Sequence, residues 1–315
     1  MSNPARIVSL LPAATEMVDA LGCAERLVGR SHECDFPREA ACLPAVTAAN
    51  LDPNLPSAAI NDAVNTRLAA GLSLYQVDAA KLRALRPDLI VTQAQCAVCA
   101  VSPADLDRAL ADWPGTKPEV LALSPMRLAD LWSDLRRLGL ALGLPDEGRA
   151  AIAPLKARVV AVIERTALLK QRPGVACLEW LDPLMGAGNW IPELVELAGG
   201  RPLFGEAGKH SDWFTWENLV LQDPEVIVAL PCGFNLERTK RELAALAAKP
   251  EWPKLRAARS RRVFVTDGNA YFNRPGPRLV DSLEILAELL HPELFSQPRH
   301  RGTGWGPWAA DTKSL

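Results

Sequence analysis

Short apolar runs alternate with helix-forming stretches twice along this 315-residue chain, and that alternation limits its fold severely. In the first half, Arg6-Ile7-Val8-Ser9-Leu10-Leu11, Leu27-Val28-Gly29, Leu89-Ile90-Val91 and Glu119-Val120-Leu121-Ala122-Leu123 read as strands, with helices expected from Pro12 to Gly22, Ala79 to Leu85 and over 103–112. In the second half, strands are expected at 174–178, 224–230 and 262–265, between helices at 190–197, from 215, at 236–248 and at 277–290. Val-, Ile- and Leu-rich runs without polar alternation suit strands buried on both faces. Strands that alternate with helices build parallel sheets through right-handed crossovers. The expected class is therefore α/β.

Between the halves, Leu128, Leu131, Leu135, Leu138 and Leu142 mark an amphipathic helix, and a longer helix over 146–170 reads as a linker. The expected division is an N-terminal α/β lobe at 1–125, a helical region with the linker helix at 126–172, a C-terminal α/β lobe at 173–295 and a poorly ordered tail at 296–315.

Charge narrows the function classes. Lys and Arg total 35 against 37 acidic residues, a net charge of −2, so the totals imply no basic face and no nucleic-acid partner. No apolar run approaches the roughly 20 residues of a membrane span, so no direct membrane insertion is expected. The opening apolar run meets Pro12, Glu16 and Asp19 at once, which does not read as an export signal, and a cytoplasmic monomer is expected. Seven cysteines, an odd number, argue against a disulfide framework. Neither a G-x-G-x-x-G nor a Walker A pattern occurs, which disfavours nucleotide binding.

The chemistry-bearing residues fall after strands. In open α/β sheets, ligands bind outside the carboxyl ends of the strands. His32-Glu33-Cys34, with Phe36, follows the second strand, and Cys96-Ala97-Val98-Cys99 follows the strand at 89–91. That C-x-x-C could chelate a metal, run thiol–disulfide chemistry or simply pack. Ala100-Val101-Ser102 separates it from the next helix, so the helix dipole is poorly placed to activate a thiol and the redox reading ranks last. Glu179-Trp180, Cys232, Phe234, Tyr271, Phe272, Asn273 and Arg274 follow strands of the second half. The aromatics could wall a flat apolar ligand, and Arg274 could meet a phosphate or carboxylate. Trp216, Cys23, Cys42 and Cys177 read as packing residues, and His210, His291 and His300 as surface residues.

Ser9-Leu10-Leu11-Pro12-Ala13-Ala14-Thr15-Glu16, Arg86-Pro87-Asp88-Leu89-Ile90 and Asp223-Pro224-Glu225-Val226-Ile227, in this order and spacing, resemble the class III substrate-binding proteins of ABC importers, the vitamin B12- and iron-chelate-binding group. The resemblance covers roughly residues 5–295. His32-Glu33-Cys34, Cys96-Ala97-Val98-Cys99, Glu179-Trp180-Leu181-Asp182-Pro183, Pro231-Cys232-Gly233-Phe234 and the stretch from Asp267 to Pro277 are similar to a leaderless branch usually called cobalamin-binding proteins. The resemblance implies two Rossmann-like lobes with central parallel sheets, joined by one long helix, with a ligand cleft between them. It also implies a binding protein for a corrinoid or other metal chelate, cobalamin first, rather than an enzyme. His32, Glu33, Phe36, Glu179, Trp180, Phe234, Tyr271, Asn273 and Arg274 are the implied ligand residues. An ABC transporter partner is put in doubt without an export signal. The implied fold would also bring Cys34, Cys96, Cys99 and Cys232 together, and four thiolates suit zinc or an iron–sulfur cluster. In that alternative the chain is a metalloprotein, and His32 or Glu179 could carry a proton for catalysis.

Overall fold

The computed structural model describes residues 5–94 and 100–309. The chain divides into two compact units. The first comprises Met1–Leu55, Ala59–Pro125 and Ala129–Leu155, and the second Pro56–Ala58, Met126–Leu128 and Lys156–Leu315.

The first stretch of chain runs through β1 (Ile7–Ser9), α1 (Pro12–Ala20), β2 (Leu27–Arg30), β3 (Thr47–Ala49), α2 (Ser57–Ala69), β4 (Tyr75–Val77), α3 (Ala79–Leu85), β5 (Leu89–Gln93), α4 (Pro103–Ala109), β6 (Glu119–Leu123), α5 (Leu128–Ala141) and the 22-residue α6 (Pro145–Thr166), along which the chain passes from the first unit into the second. The sheet is parallel, in the order β2-β1-β5-β6. Every residue of β1 and β5 is buried, as a strand covered on both faces requires. Val8, Leu10, Ile90, Leu82, Leu106 and Val46 form the heart of one hydrophobic cluster. Gly29 is needed in β2 because a Cβ there would lie 2.6 Å from Leu85 Cδ1. Helix α4 starts where a capping box fits: Asp105 N–H donates to Ser102 Oγ at 3.2 Å, and Ser102 N–H donates back to Asp105 Oδ2 at 3.3 Å. β3 and β4 pair antiparallel, a ribbon not expected from the sequence.

The second unit adds β7 (Gly174–Leu181), β8 (Leu184–Gly186), α7 (Ile191–Leu197), β9 (Arg201–Pro202), β10 (Asp212–Trp213), α8 (Trp216–Gln222), β11 (Val226–Ala229), α9 (Leu236–Ala247), α10 (Arg256–Arg259), β12 (Val263–Thr266), α11 (Leu279–Leu290) and β13 (Trp305–Pro307). Its sheet runs β10-β8-β7-β11-β12-β13, with β9 also beside β7. The three central strands are parallel, whereas β8, β10 and β13 are antiparallel additions. This α/β architecture, with a central parallel sheet and helices in each unit, is the expected class. Among the described residues, no helix is long and apolar enough to cross a membrane.

The tail departs from expectation. Instead of lying loose, Trp305–Pro307 extends the sheet along β12. Buried Glu288 of α11 fastens it, because its carboxylate accepts hydrogen bonds from Arg299 N–H at 2.7 Å, His300 N–H at 3.2 Å and Trp305 Nε1–H at 2.7 Å. His300 is consequently not a surface residue, and its Nε2 lies 2.8 Å from Glu284. His291 is buried too, with Nε2 3.2 Å from the Gly199 carbonyl. Cys42 is exposed rather than packed. Glu288→Ala would strand these donors, and a buried donor without a partner costs about 1–3 kcal/mol. Urea denaturation of that variant is expected to show a loss of about 3 kcal/mol relative to the parent chain.

Candidate functional site

In the first unit, the loops after β1 and β2 are tied together by hydroxyl groups. Ser31 N–H donates to the Ser9 carbonyl at 2.7 Å, and Thr15 Oγ1 donates to Ser9 Oγ at 2.9 Å. Thr47 supplies the next link. Its Oγ1 accepts from His32 N–H at 3.0 Å, lies 2.7 Å from His32 Nδ1 and donates to Ser31 Oγ at 3.2 Å. A hydroxyl has one proton. In the tautomer in which Nδ1 donates to Thr47, and Thr47 to Ser31, Nε2 keeps its lone pair. Among the described residues Nε2 has no hydrogen-bond partner. Burial lowers the His32 pKa, and the nearby Arg30 charge adds to the effect, so the ring is held neutral. Tyr75 packs with its ring centroid 5.8 Å from that of the imidazole. The result is a neutral, oriented imidazole with one basic nitrogen.

The other first-unit candidates divide. Glu33 is half-buried and Phe36 is 42% exposed, both on the loop that carries His32. Cys34 is 1% exposed, and its sulfur lies 3.1 Å from Thr15 Oγ1. Cys96 and Cys99 lie outside the described residues.

In the second unit, Glu179 and Trp180 stand near the carboxyl end of β7, and Cys232 follows β11 next to them, its N–H donating to the Glu179 carbonyl at 3.2 Å. Glu179 Oε2 accepts from Ser211 Oγ at 2.9 Å, and Ser211 in turn accepts from Gly188 N–H at 2.9 Å. Gly188 cannot carry a side chain there, because a Cβ would lie 2.6 Å from the Lys209 carbonyl oxygen and from Ser211 N. Burial pushes the Glu179 carboxyl up to about 7, against the opposing hydrogen bonds from Ser211 and Gly188. Trp180 is half-buried, and its ring centroid lies 5.2 Å from that of Phe234.

Several expectations change here. Phe234 is 2% exposed, with the Arg238 guanidinium 3.6 Å over its ring, and Phe272 is fully buried. Both are core residues rather than ligand walls. Tyr271 turns toward the tail, its centroid 6.2 Å from that of His300. Asn273 Nδ2 donates to the Leu230 and Gly268 carbonyls, each at 2.9 Å, and so braces the loop after β12. Arg274 is 5% exposed and donates to Asn269 Oδ1 at 3.1 Å, a buried structural contact rather than a surface pair.

The four-cysteine metal site is not supported. The Cys34 thiol is buried against a hydroxyl, and Cys232 is an exposed thiol of the second unit. Among the described residues, the grouping with metal-ligand spacing is instead Asp281, Glu284 and His300, whose ligand atoms lie within 4.8 Å of one another. Arg158 already pairs with both of its carboxylates, so it reads as an ion-pair network binding α6 to α11. Thr15, Ser31, Thr47 and Ser211 complete the two loop clusters, and the sequence analysis did not single them out. Hydroxyl residues are too common to be flagged, and only the S-L-L-P-A-A-T opening pointed near one of them.

Comparisons with known proteins agree with this architecture. A family described as periplasmic binding protein matches residues 7–270. A vitamin B12-binding protein of Photorhabdus laumondii is 22% identical over 289 residues, covering 91% of this chain and 88% of its own length. An uncharacterised ABC transporter substrate-binding lipoprotein of Bacillus subtilis is 21% identical over 303 residues, covering 94% of this chain and 82% of its own. The crystal structure of a periplasmic heme-binding protein from Pseudomonas aeruginosa superposes with a TM-score of 0.71 at 25% identity, covering 92% of this chain and 93% of that one.

The raised Glu179 carboxyl makes a prediction. Between the ordinary glutamate range and about pH 7, the folded chain holds a proton there that the unfolded chain has released, so this group's contribution to stability falls as pH rises through that window. At 1.36 kcal/mol per unit, the loss between pH 4.5 and 7 amounts to up to about 3 kcal/mol. Urea denaturation from pH 5 to 8 is expected to show that decline in the parent chain and a flatter profile in Glu179→Gln.

Proposed function

Because the chain belongs to the periplasmic binding protein family, we propose that it captures a planar metal chelate, a corrinoid such as cobalamin before heme, with His32 Nε2 as a donor to the chelated metal. It is a substrate-binding protein resembling the vitamin B12- and heme- or iron-chelate-binding proteins. The observation that carries the proposal is the state of His32. Its Nδ1 is engaged by Thr47 at 2.7 Å, burial disfavours its charged form, and its Nε2 is the ring nitrogen that a metal would meet when Nδ1 carries the proton. A neutral imidazole whose second nitrogen is fixed by a neighbour is the usual form of a metal-binding histidine. Trp180 supports the reading from the second unit as a half-buried aromatic on a strand-end loop, suited to an apolar macrocycle. Binding proteins of this family typically partner an ABC transporter, and the same partnership is proposed here.

Titration calorimetry with cyanocobalamin and with hemin, each added to the purified chain, tests the proposal. Saturable binding of one of them at about 1 μM or tighter, near −8 kcal/mol, is expected. His32→Ala is expected to shift the visible spectrum of the complex and weaken binding about tenfold or more. Binding of neither chelate, or binding whose spectrum and affinity ignore His32→Ala, overturns it.

A further inference from the structure

The amino ends of β7, β11 and β12 lie side by side, because these parallel neighbours pair Val226 with Val175 and Ile227 with Val263. The residues that enter them, Arg172, Glu225 and Arg262, therefore share one edge of the sheet, opposite the carboxyl ends that carry Glu179 and Cys232. An open cavity of about 950 Å³ lies there, with Lys170, Arg172, Glu225, Arg262 and Glu293 among its lining residues. A second, of about 420 Å³, shares Glu225 and Arg262 and adds Arg256, Arg259 and Ser260. The shared residues make the two one groove.

The groove is cationic although the chain as a whole is not. Five basic side chains line it, Lys170, Arg172, Arg256, Arg259 and Arg262, against the carboxylates of Glu225 and Glu293. All five fall in two short segments, 170–172 and 254–262, and Lys254–Arg262 alone holds five basic residues in nine. Glu225 is committed elsewhere in part, since its Oε2 accepts Gly174 N–H at 2.7 Å. The side chains of Arg172 and Arg262 donate to the Glu196 and Leu290 carbonyl oxygens, Glu225 and Glu293 lend Arg262 a partial countercharge, and Arg256 pairs with Asp223 at 3.2 Å and Glu225 at 3.8 Å. Burial lowers the pKa of Arg262, the signature of a cation whose lost hydration is incompletely replaced. The exposed side chains of Lys170 and Arg259 make no hydrogen bond or ion pair among the described residues. Guanidinium groups present paired donors that match phosphate oxygens.

We propose that this groove binds a multivalent phosphate-bearing anion, supplied either as a free phosphate chain or as the headgroups of an anionic lipid surface. Calorimetry with inorganic tripolyphosphate and co-sedimentation with phosphatidylglycerol vesicles, against phosphatidylcholine vesicles, test the two sources on the full chain. Saturable binding that weakens as salt rises is expected. Arg259→Glu and Lys170→Glu are each expected to weaken it at least fivefold. Lys117→Glu, the same charge change on an exposed loop of the first unit, is expected to leave it unchanged. Tripolyphosphate binding assigns a free anion, and vesicle binding alone assigns the lipid surface. If a glutamate variant fails to fold, Arg259→Gln and Lys170→Gln carry the test, with a loss of at least twofold expected. No binding of either probe, or equal losses in Lys117→Glu and the groove variants, overturns the proposal.

Discussion

Burial of the central parallel strands on both faces is the constraint from which the functional layout follows. Val8 and Ile90 in the first unit, and Ala176, Ile227, Val228 and Val265 in the second, are fully removed from solvent. Each such apolar side chain of valine or isoleucine size contributes roughly 1.5–3 kcal/mol, and none leaves room for a polar group midway along a strand. Chemistry is thereby displaced to the strand ends. At the carboxyl ends stand the hydroxyl, imidazole and carboxyl groups of Ser9, His32 and Glu179. At the amino ends of the second sheet stand guanidinium groups. The polarity of each sheet follows from the direction in which its parallel strands run.

The cluster around Thr47 shows how such an end is held in shape. Thr15, Ser9, Ser31 and Thr47 lie almost wholly out of water, so every one of their protons has to find an acceptor within the cluster. The Thr47 hydroxyl, held between Ser31 and the His32 ring, sets the direction in which that ring points. The Cys34 sulfur packs against the same cluster, 3.1 Å from Thr15 Oγ1. Ser211 plays a comparable part in the second unit by passing a hydrogen bond from the Gly188 backbone to Glu179.

The buried strands were legible in the sequence because a run such as Leu89-Ile90-Val91 has no other stable use, and α4 announced itself through Ser102, Pro103 and Asp105. The short additions were not. Thr47-Ala48-Ala49, Tyr75-Gln76-Val77 and Leu184-Met185-Gly186 are too brief and too mixed to carry a period, and each is a strand only because a neighbour offers hydrogen bonds. Of the candidate site, His32, Glu179 and Trp180 could be picked out as ligand-type residues following strands. Phe234, Phe272 and Arg274 could not be told from core, because spacing does not report how deeply a loop folds back on itself. Cys34 is a related case: a thiol's affinity for metal is visible in the sequence, whereas its packing against a nearby hydroxyl is not.

The stretch that Glu288 anchors has a further consequence. The family match ends at residue 270, yet β12 is flanked on its outer side by β13, from 305–307. A parallel strand without that cover would offer a row of unpaired amide and carbonyl groups to any other chain. The segment at 305–307 thus acts as a stopper on its own sheet, and a form trimmed at about residue 298 would be prone to stack edge to edge with its copies.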